Sequence, residues 1–190
     1  MTFARSVIVA AGLVAFALVP ASAQENAPTT GRPIATLAKV TLKSRNGTRI
    51  ALGSRVSRGK PTLISLWASW CGPCIAEAPY LDKIRKDLGG GYNFLYVNRS
   101  DGDPDSSQPP ASVAQYLARA GMSDVDYVVA DIKAYRQIVG ADVRDIPDGK
   151  VGIPRVYLFD SNGRQIYTAY GFQEADGADL EQRVKQAMAK

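Results

Sequence analysis

The sequence has 190 residues, with 23 Lys and Arg against 18 Asp and Glu, which gives a formal net charge of +5. This length fits one domain with a tail, and 46% apolar with 22% charged residues is usual for a globular chain. The excess of positive charge is too small to indicate a nucleic-acid partner. The chain has no histidine and only two cysteines, Cys71 and Cys74, which excludes imidazole catalysis, Cys/His zinc sites and a scaffold of several disulfides.

The first 23 residues have the layout of a secretory signal peptide. Arg5 precedes an apolar run over residues 7–19, and Ala21-Ser22-Ala23 is typical of a cleavage site. We predict cleavage after Ala23 and export to the periplasm, an oxidising compartment where disulfides form readily. The alternative is an uncleaved membrane anchor that leaves the protein facing the periplasm. We predict a flexible lead over residues 24–33 and a single domain over residues 34–190.

Apolar periodicity and turn residues predict strands and helices that alternate along the chain. In chain order the pattern predicts strands at 40–43 and 49–52 joined as a hairpin, a strand at 62–67, a helix from 71 to 88 kinked at Pro79, a strand at 92–97, a helix at 111–120, a strand at 126–130, a helix at 131–139, paired strands at 156–159 and 165–170, and a helix at 176–188. The regions 99–110 and 141–152 predict loops. This alternation predicts an α/β fold whose sheet is partly parallel and is covered by helices on both faces.

Cys71 and Cys74 lie where the predicted strand 62–67 gives way to a helix. The free N–H groups and the dipole of a helix N-terminus stabilise a thiolate at Cys71, and the spacing of three places both sulfurs on one side of the first turn. We predict that Cys71 attacks a substrate disulfide and that the more buried Cys74 resolves the mixed disulfide. A purely structural disulfide across so short a loop would add only roughly 2 kcal/mol. Zinc would need ligands beyond two cysteines, so no metal site is predicted.

The segment from Trp67 to Cys74, Trp-Ala-Ser-Trp-Cys-Gly-Pro-Cys, resembles the active site of the thioredoxin superfamily. Residues 59–79, the N-terminal hairpin and an extra helix and strand in the middle of the chain resemble its exported TlpA/ResA-type branch. The resemblance covers residue 34 to the C-terminus. It implies a thioredoxin-like fold, with a central mixed β-sheet flanked by helices, an N-terminal β-hairpin and an inserted helix–strand element.

A second landmark of the family is a cis-proline that precedes a strand and faces the two cysteines. Gly152-Ile153-Pro154 lies directly before the predicted strand 156–159 and matches this landmark. The resemblance therefore implies that Ile153–Pro154 is cis and that the backbone of Ile153 pairs with a substrate strand. Pro147 is a rival candidate, although no strand follows it directly.

The resemblance also implies roles for residues around the cysteines. Glu77 takes the place of a glutamate that tunes thiol chemistry in the TlpA/ResA branch, whereas Ser65 stands where thioredoxin has a buried aspartate. Glu77 as an ordinary solvated helix residue is the alternative.

Three residues beside the cysteines are expected to contact substrate together with Ile153, namely Trp70, Gly72 and Pro73. Trp67 is expected to serve mainly in packing.

The resemblance implies an exported thiol-disulfide oxidoreductase that acts on protein disulfides. We expect a monomer without a cofactor. Reduction is the expected direction, for example in cytochrome c maturation or at metal-site cysteines, with re-reduction by a membrane electron donor. The Gly72-Pro73 pair favours this direction because thioredoxin has the same pair. Two alternatives stay open: a disulfide oxidase or isomerase, and a non-enzymatic metal-handling module. The related copper chaperones use a histidine, which this chain lacks.

Overall fold

The computed structural model of the protein describes residues 31–99, 113–140 and 152–189. The predicted signal peptide, residues 24–30 of the lead, most of the two predicted loops and Pro147 lie outside these ranges. The elements are β1 (Thr41–Ser44), β2 (Arg49–Ala51), β3 (Thr62–Trp67), α1 (Gly72–Leu88), β4 (Asn93–Arg99), α2 (Val113–Arg119), β5 (Val128–Ala130), α3 (Ile132–Val139), β6 (Arg155–Phe159), β7 (Gln165–Tyr170) and α4 (Glu174–Met188).

The seven strands form one mixed sheet in the order β2-β1-β5-β4-β3-β6-β7. Strands β3, β4 and β5 are parallel, and β1 and β6 run antiparallel to their neighbours β5 and β3. Helices α1, α2 and α4 cover one face, and α3 covers the other together with the segment before β1. The predicted α/β fold, with its partly parallel sheet covered on both faces, is confirmed.

Strand β3 holds the centre of the sheet because its side chains alternate between two cores. All six of its residues are buried. Leu63 and Trp67 pack on the α1 side, whereas Ile64 and Leu66 pack on the α3 side. A strand buried on both faces reads as a continuous apolar run, which is the pattern from which it was predicted.

Helix α1 begins at the end of β3 and carries the two cysteines at its N-terminus. It runs without interruption through Pro79 and ends at Leu88, after which Gly89 has a φ of 53°. Side chains avoid this backbone region, so a glycine suits the position. The run of glycines therefore ends the helix as the sequence predicted.

The N-terminal lead differs from its prediction. The N–H of Gly31 donates to the carbonyl of Gln165 (3.2 Å), and the N–H of Gln165 donates to the carbonyl of Arg32 (2.9 Å). Pro33 forms a bridge with Arg164. The flexible lead predicted over residues 24–33 is therefore wrong for residues 31–33, because these residues pair with the edge strand β7.

Helix α4 starts two residues before the predicted position. Gln173 and Asp176 form a reciprocal capping box, in which each side chain accepts a backbone N–H of the other residue. This cap satisfies donors of the first turn and fixes the start at Glu174. Among the residues described, no helix is long and apolar enough to cross a membrane.

Candidate active site

Cys71 and Cys74 form a disulfide with a Cα–Cα distance of 5.3 Å. Cys71 is the N-cap of α1, and its sulfur accepts the N–H of Cys74 at 3.2 Å. Cys71 is 4% exposed, whereas Cys74 is fully buried. The helix therefore directs a donor and the positive end of its dipole at the sulfur of Cys71, the only one of the two with any contact with solvent.

The peptide bond between Ile153 and Pro154 is cis, as predicted. Pro154 immediately precedes β6, whose first residue Arg155 pairs with Leu66 near the end of β3. The carbonyl of Pro154 accepts the N–H of Gly171 at 2.9 Å, which ties this loop to the end of β7. The cis-proline therefore lies at the same end of the sheet as the cysteines.

Glu77 is buried, with 4% exposure, on the first turns of α1. The hydroxyl of Ser65 donates to its carboxyl oxygen Oε2 at 3.4 Å. The pKa of Glu77 is raised to about 8, mainly by burial and to a smaller extent by the charge of Asp176, while the Ser65 hydrogen bond opposes the rise. The carboxyl therefore carries a proton at neutral pH, and Glu77 is not a solvated helix residue.

A small cavity lies beside Glu77, between α1, β7 and α4. It offers about 10 Å³, the space of roughly one water molecule. Tyr80, Tyr167 and the half-buried Asp176 line it as well. The buried acid therefore has a polar neighbour on the side away from Ser65.

Two buried tyrosines connect the site to the inserted element. The hydroxyl of Tyr116, on α2, donates to the carbonyl of Cys74 at 3.0 Å, and the hydroxyls of Tyr96 and Tyr116 are 2.9 Å apart. Trp67 is fully buried and stacks between the two rings, with centroid distances of 4.6 Å to Tyr96 and 4.4 Å to Tyr116. The packing role predicted for Trp67 is confirmed.

The sequence predicts the helix at 111–120 that carries Tyr116 but gives no sign of the contact of Tyr116 with Cys74. The periodicity that places Tyr116 in the core carries no information about where its hydroxyl points. A buried tyrosine hydroxyl needs a partner, and this is the one indication that could have suggested a polar contact. The contact itself joins residues 42 positions apart.

Three of the residues predicted to contact substrate adjoin Cys71 along the chain, and the fourth, Ile153, precedes the cis-proline. Gly72 and Pro73 are exposed, and Trp70 is half-buried with the guanidinium of Arg99 5.9 Å from its ring centroid. Ile153 packs against both cores next to the cis bond. Their roles in binding remain predictions. Within the described ranges, no group of three or more Cys, Asp or Glu side chains is suited to hold a metal ion.

A family model described as Redoxin matches residues 24–184. The thiol:disulfide interchange protein CycY of Rhizobium leguminosarum bv. viciae is 30% identical over 135 residues, which cover 67% of this chain and 59% of CycY. A TxlA homolog of Synechocystis, also a thiol:disulfide interchange protein, is 36% identical over 59 residues, or 31% of this chain and 33% of that protein. The chain thus spans less than two thirds of either relative.

Solved structures share the fold of this chain. A thiol:disulfide interchange protein of the thioredoxin family from Chlorobium tepidum TLS superimposes with a TM-score of 0.56 and 22% identity, over 83% of this chain and 97% of that one. The thioredoxin-like fold implied by the sequence is confirmed. The chain belongs to the redoxin family, within the TlpA/ResA-type branch of the thioredoxin superfamily.

Proposed function

We propose that the protein is an exported thiol-disulfide oxidoreductase that reduces protein disulfides through Cys71 and Cys74. The observation that carries this proposal is the disulfide at the N-terminus of α1, in which only Cys71 reaches solvent. The cis-proline at the same end of the sheet and the names of the similar interchange proteins support it.

The reaction needs only the atoms at this helix terminus. In the reduced protein, the thiolate of Cys71 attacks one sulfur of a substrate disulfide, and the other substrate sulfur leaves as a thiolate. Cys74 then loses its proton and attacks the sulfur of Cys71, which forms the Cys71–Cys74 disulfide and releases the second substrate thiolate. Two electrons pass from the protein dithiol to the substrate.

We infer that Glu77, ionised in the reduced protein, takes the proton that leaves Cys74. The two residues are three apart on α1 and therefore share a face of the helix. With the disulfide intact, burial raises the pKa of Glu77 to about 8, so the acid holds a proton at neutral pH. This is the state expected once a proton has left Cys74, and the reverse transfer accompanies re-reduction.

The proposal also includes reduction as the direction of the reaction, and it names the class of electron donor and of substrate. The Gly72-Pro73 pair between the cysteines favours a reducing protein. Because an exported protein works in an oxidising compartment, it needs a membrane electron donor of the thiol-reducing type. Substrates of the expected kind are protein disulfides, including those in cytochrome c maturation. The backbone of Ile153 and the side chain of Trp70 would contact them.

The reduction potential of the Cys71–Cys74 pair tests the direction. The purified protein is equilibrated in dithiothreitol or glutathione buffers, and the dithiol fraction is measured by thiol labelling. A potential of about −270 mV or lower supports a reductase. A potential near −120 mV would assign the protein to disulfide oxidation or isomerisation and would exclude a role in cytochrome c maturation.

The order of the two cysteines is tested by trapping. Cys74→Ser should accumulate mixed disulfides with substrate proteins, visible on a non-reducing gel, because no thiol resolves them. Cys71→Ser serves as the matched control and should trap nothing, since Cys74 is buried. Equal trapping by both variants would contradict the roles assigned here.

A further inference from the structure

The side of Glu77 that faces the disulfide is enclosed by buried side chains. Cys74 and Ser65 are fully buried on this side. Tyr96 and Tyr116, whose hydroxyls lie within reach of the charge of Glu77, are buried as well. These four side chains therefore separate the acid from solvent in the direction of β3, β4 and α2.

The other side of Glu77 borders the small cavity between α1, β7 and α4. Glu77, Asp176 and Tyr167 all line this cavity, whose volume of about 10 Å³ suits one water molecule. Asp176 is half-buried in the first turn of α4, and its Oδ2 accepts the N–H of Gln173 at 2.7 Å. Asp176 therefore connects the wall of the cavity with the surface of the protein.

The hydroxyl of Tyr167 is a buried donor that still needs an acceptor. Tyr167 is 1% exposed, and its hydroxyl forms no hydrogen bond with any residue that the structure describes. Such groups are rare in folded proteins because an unpaired buried donor is costly, and a bound water is a common partner. The pKa of Tyr167 is raised to about 12, mainly by burial and to a smaller extent by nearby carboxyl groups, which include those of Asp176 and Glu77. The hydroxyl therefore lies near both acids.

The protonated carboxyl of Glu77 is a second donor beside this cavity. A protonated carboxyl has one O–H to donate. Ser65 donates to Oε2 of Glu77, so the O–H of Glu77 needs its acceptor elsewhere. One water can accept from Glu77 and Tyr167 and donate to the carboxylate of Asp176. This arrangement gives the water three polar partners, the usual number for a buried water.

We propose that one water molecule in the cavity joins Glu77 to Asp176 and Tyr167, and that Glu77 exchanges its proton with solvent through this water and Asp176. The carboxyl of Glu77 gives its proton to the water, and the water passes one of its own protons to the carboxylate of Asp176. Asp176 then releases a proton to solvent, so the water is restored. Tyr167 positions the water and keeps its own proton.

This path gives Glu77 two separate faces for proton transfer, and it rests on the role proposed for Glu77 in the resolution step. The proton from Cys74 arrives on the enclosed face, and exchange with solvent occurs on the face towards α4. Neither transfer requires the aromatic side chains over Cys74 to move. The path is tested in the oxidised protein without substrate, so its failure would leave the roles assigned to the two cysteines untouched.

Carbon-13 NMR of the glutamate carboxyl groups measures both the pKa of Glu77 and the rate at which it exchanges its proton. The full-length oxidised protein is labelled at the side-chain carboxyl carbon and titrated across the pKa of Glu77, and the Glu77→Gln variant identifies the resonance. In the wild type a single resonance should move smoothly with pH, because exchange is fast. Asp176→Asn should slow the exchange about 100-fold, the low end of what one positioned acid–base group contributes to a proton transfer. The resonance of this variant should broaden or split near the midpoint.

A matched variant separates the path from the charge of α4. Glu174→Gln removes a negative charge from the same turn, but Glu174 is exposed and lies outside the cavity lining, so exchange should stay at the wild-type rate. Asp176→Asn keeps an oxygen that can accept the N–H of Gln173, so the cap of α4 is retained. The pKa of Glu77 should also fall in Asp176→Asn, because a nearby negative charge is removed.

The water itself is tested by Tyr167→Phe. If the hydroxyl donates to a bound water, its loss should raise the equilibrium constant for unfolding in urea by about fivefold. An unchanged or smaller constant would mean that the hydroxyl has no partner, and it would overturn the proposed water. A crystal structure of the oxidised protein should show this water within hydrogen-bond distance of Tyr167, Glu77 and Asp176, and an empty cavity there would also overturn it.

Three results of the NMR experiment would overturn the path through Asp176. The first is slow exchange of Glu77 in the wild type, and the second is exchange in Asp176→Asn that is as fast as in the wild type. The third is equal slowing by Asp176→Asn and Glu174→Gln, which would assign the effect to the charge of the helix terminus and not to the cavity.

Discussion

Glu77→Gln should remove the dependence of stability on pH in a range where this protein has few other groups to titrate. The chain has no histidine, and the disulfide removes both cysteines from titration. The acids whose pKa values are lowered by ion pairs, Asp82 and Glu181, complete their titration at lower pH. Glu77, with a pKa raised to about 8 by burial, is therefore the group expected to control stability between pH 5 and 8.

The sign and the size follow from proton linkage. Below pH 4.5 the Glu77 carboxyl is protonated in both states, and its contribution does not change with pH. Between 4.5 and about 8 the unfolded chain releases the proton while the folded protein keeps it, so the free energy of unfolding falls as pH rises. The limiting slope is about 1.4 kcal/mol per pH unit, and because the slope is smaller close to either pKa, the loss between pH 5 and 8 amounts to roughly 3.5 kcal/mol.

The assay is urea unfolding of the oxidised protein at several pH values, since an intact disulfide keeps thiol titration out of the measurement. Wild-type protein should lose stability steadily towards pH 8, whereas Glu77→Gln should be flat and the more stable of the two at pH 8. Glu174→Gln, an exposed change on α4, should keep the wild-type slope. A flat wild-type profile, or one equally steep in Glu77→Gln, would show that Glu77 is ionised in the folded protein at neutral pH.

Two further substitutions test the packing around the site. Tyr116→Phe removes the donor to the Cys74 carbonyl, so it should lower the free energy of unfolding in urea by about 1 kcal/mol. The same variant should resolve mixed disulfides several-fold more slowly in stopped-flow assays. Tyr96→Phe, the control, keeps that donor and should resolve them at the wild-type rate. Gly177→Ala should destabilise by about 1–3 kcal/mol in the same unfolding assay, because the new methyl group would overlap the ring of Tyr80; a gain of about 1 kcal/mol, as expected from helix propensity alone, would contradict this packing.

Elements whose boundaries depend on local chemistry were predicted well from the sequence. Strand β3 has the predicted bounds because a continuous apolar run needs burial on both faces. Helix α3 ends at Val139 before Gly140, as predicted, and the side chain of Asp131 accepts the N–H of Ala134 as an N-cap. The Cys71–Cys74 disulfide and the cis bond before Pro154 also followed from short motifs.

Features that depend on contacts between distant parts of the chain were not predictable in the same way. The pairing of residues 31–33 with β7 joins segments more than 130 positions apart, and a polar stretch with prolines carries no local sign of such a partner. The contact of Tyr116 with Cys74 arises because α2 packs on the same face of the sheet as α1.

The position of the buried acid shows how sequence and structure combine at this site. Ser65 stands on β3 where thioredoxin has an aspartate, yet its hydroxyl meets the carboxyl of Glu77 at 3.4 Å, and both residues are buried. The acid therefore reaches the same part of the core from α1 instead of β3. Because Glu77 and Cys74 share one helix, their separation is fixed by the helix and does not depend on how α1 packs on the sheet. Ser65 supplies a hydrogen bond that opposes the effect of burial, so it keeps the pKa of Glu77 within reach of the pH at which the thiols must exchange protons.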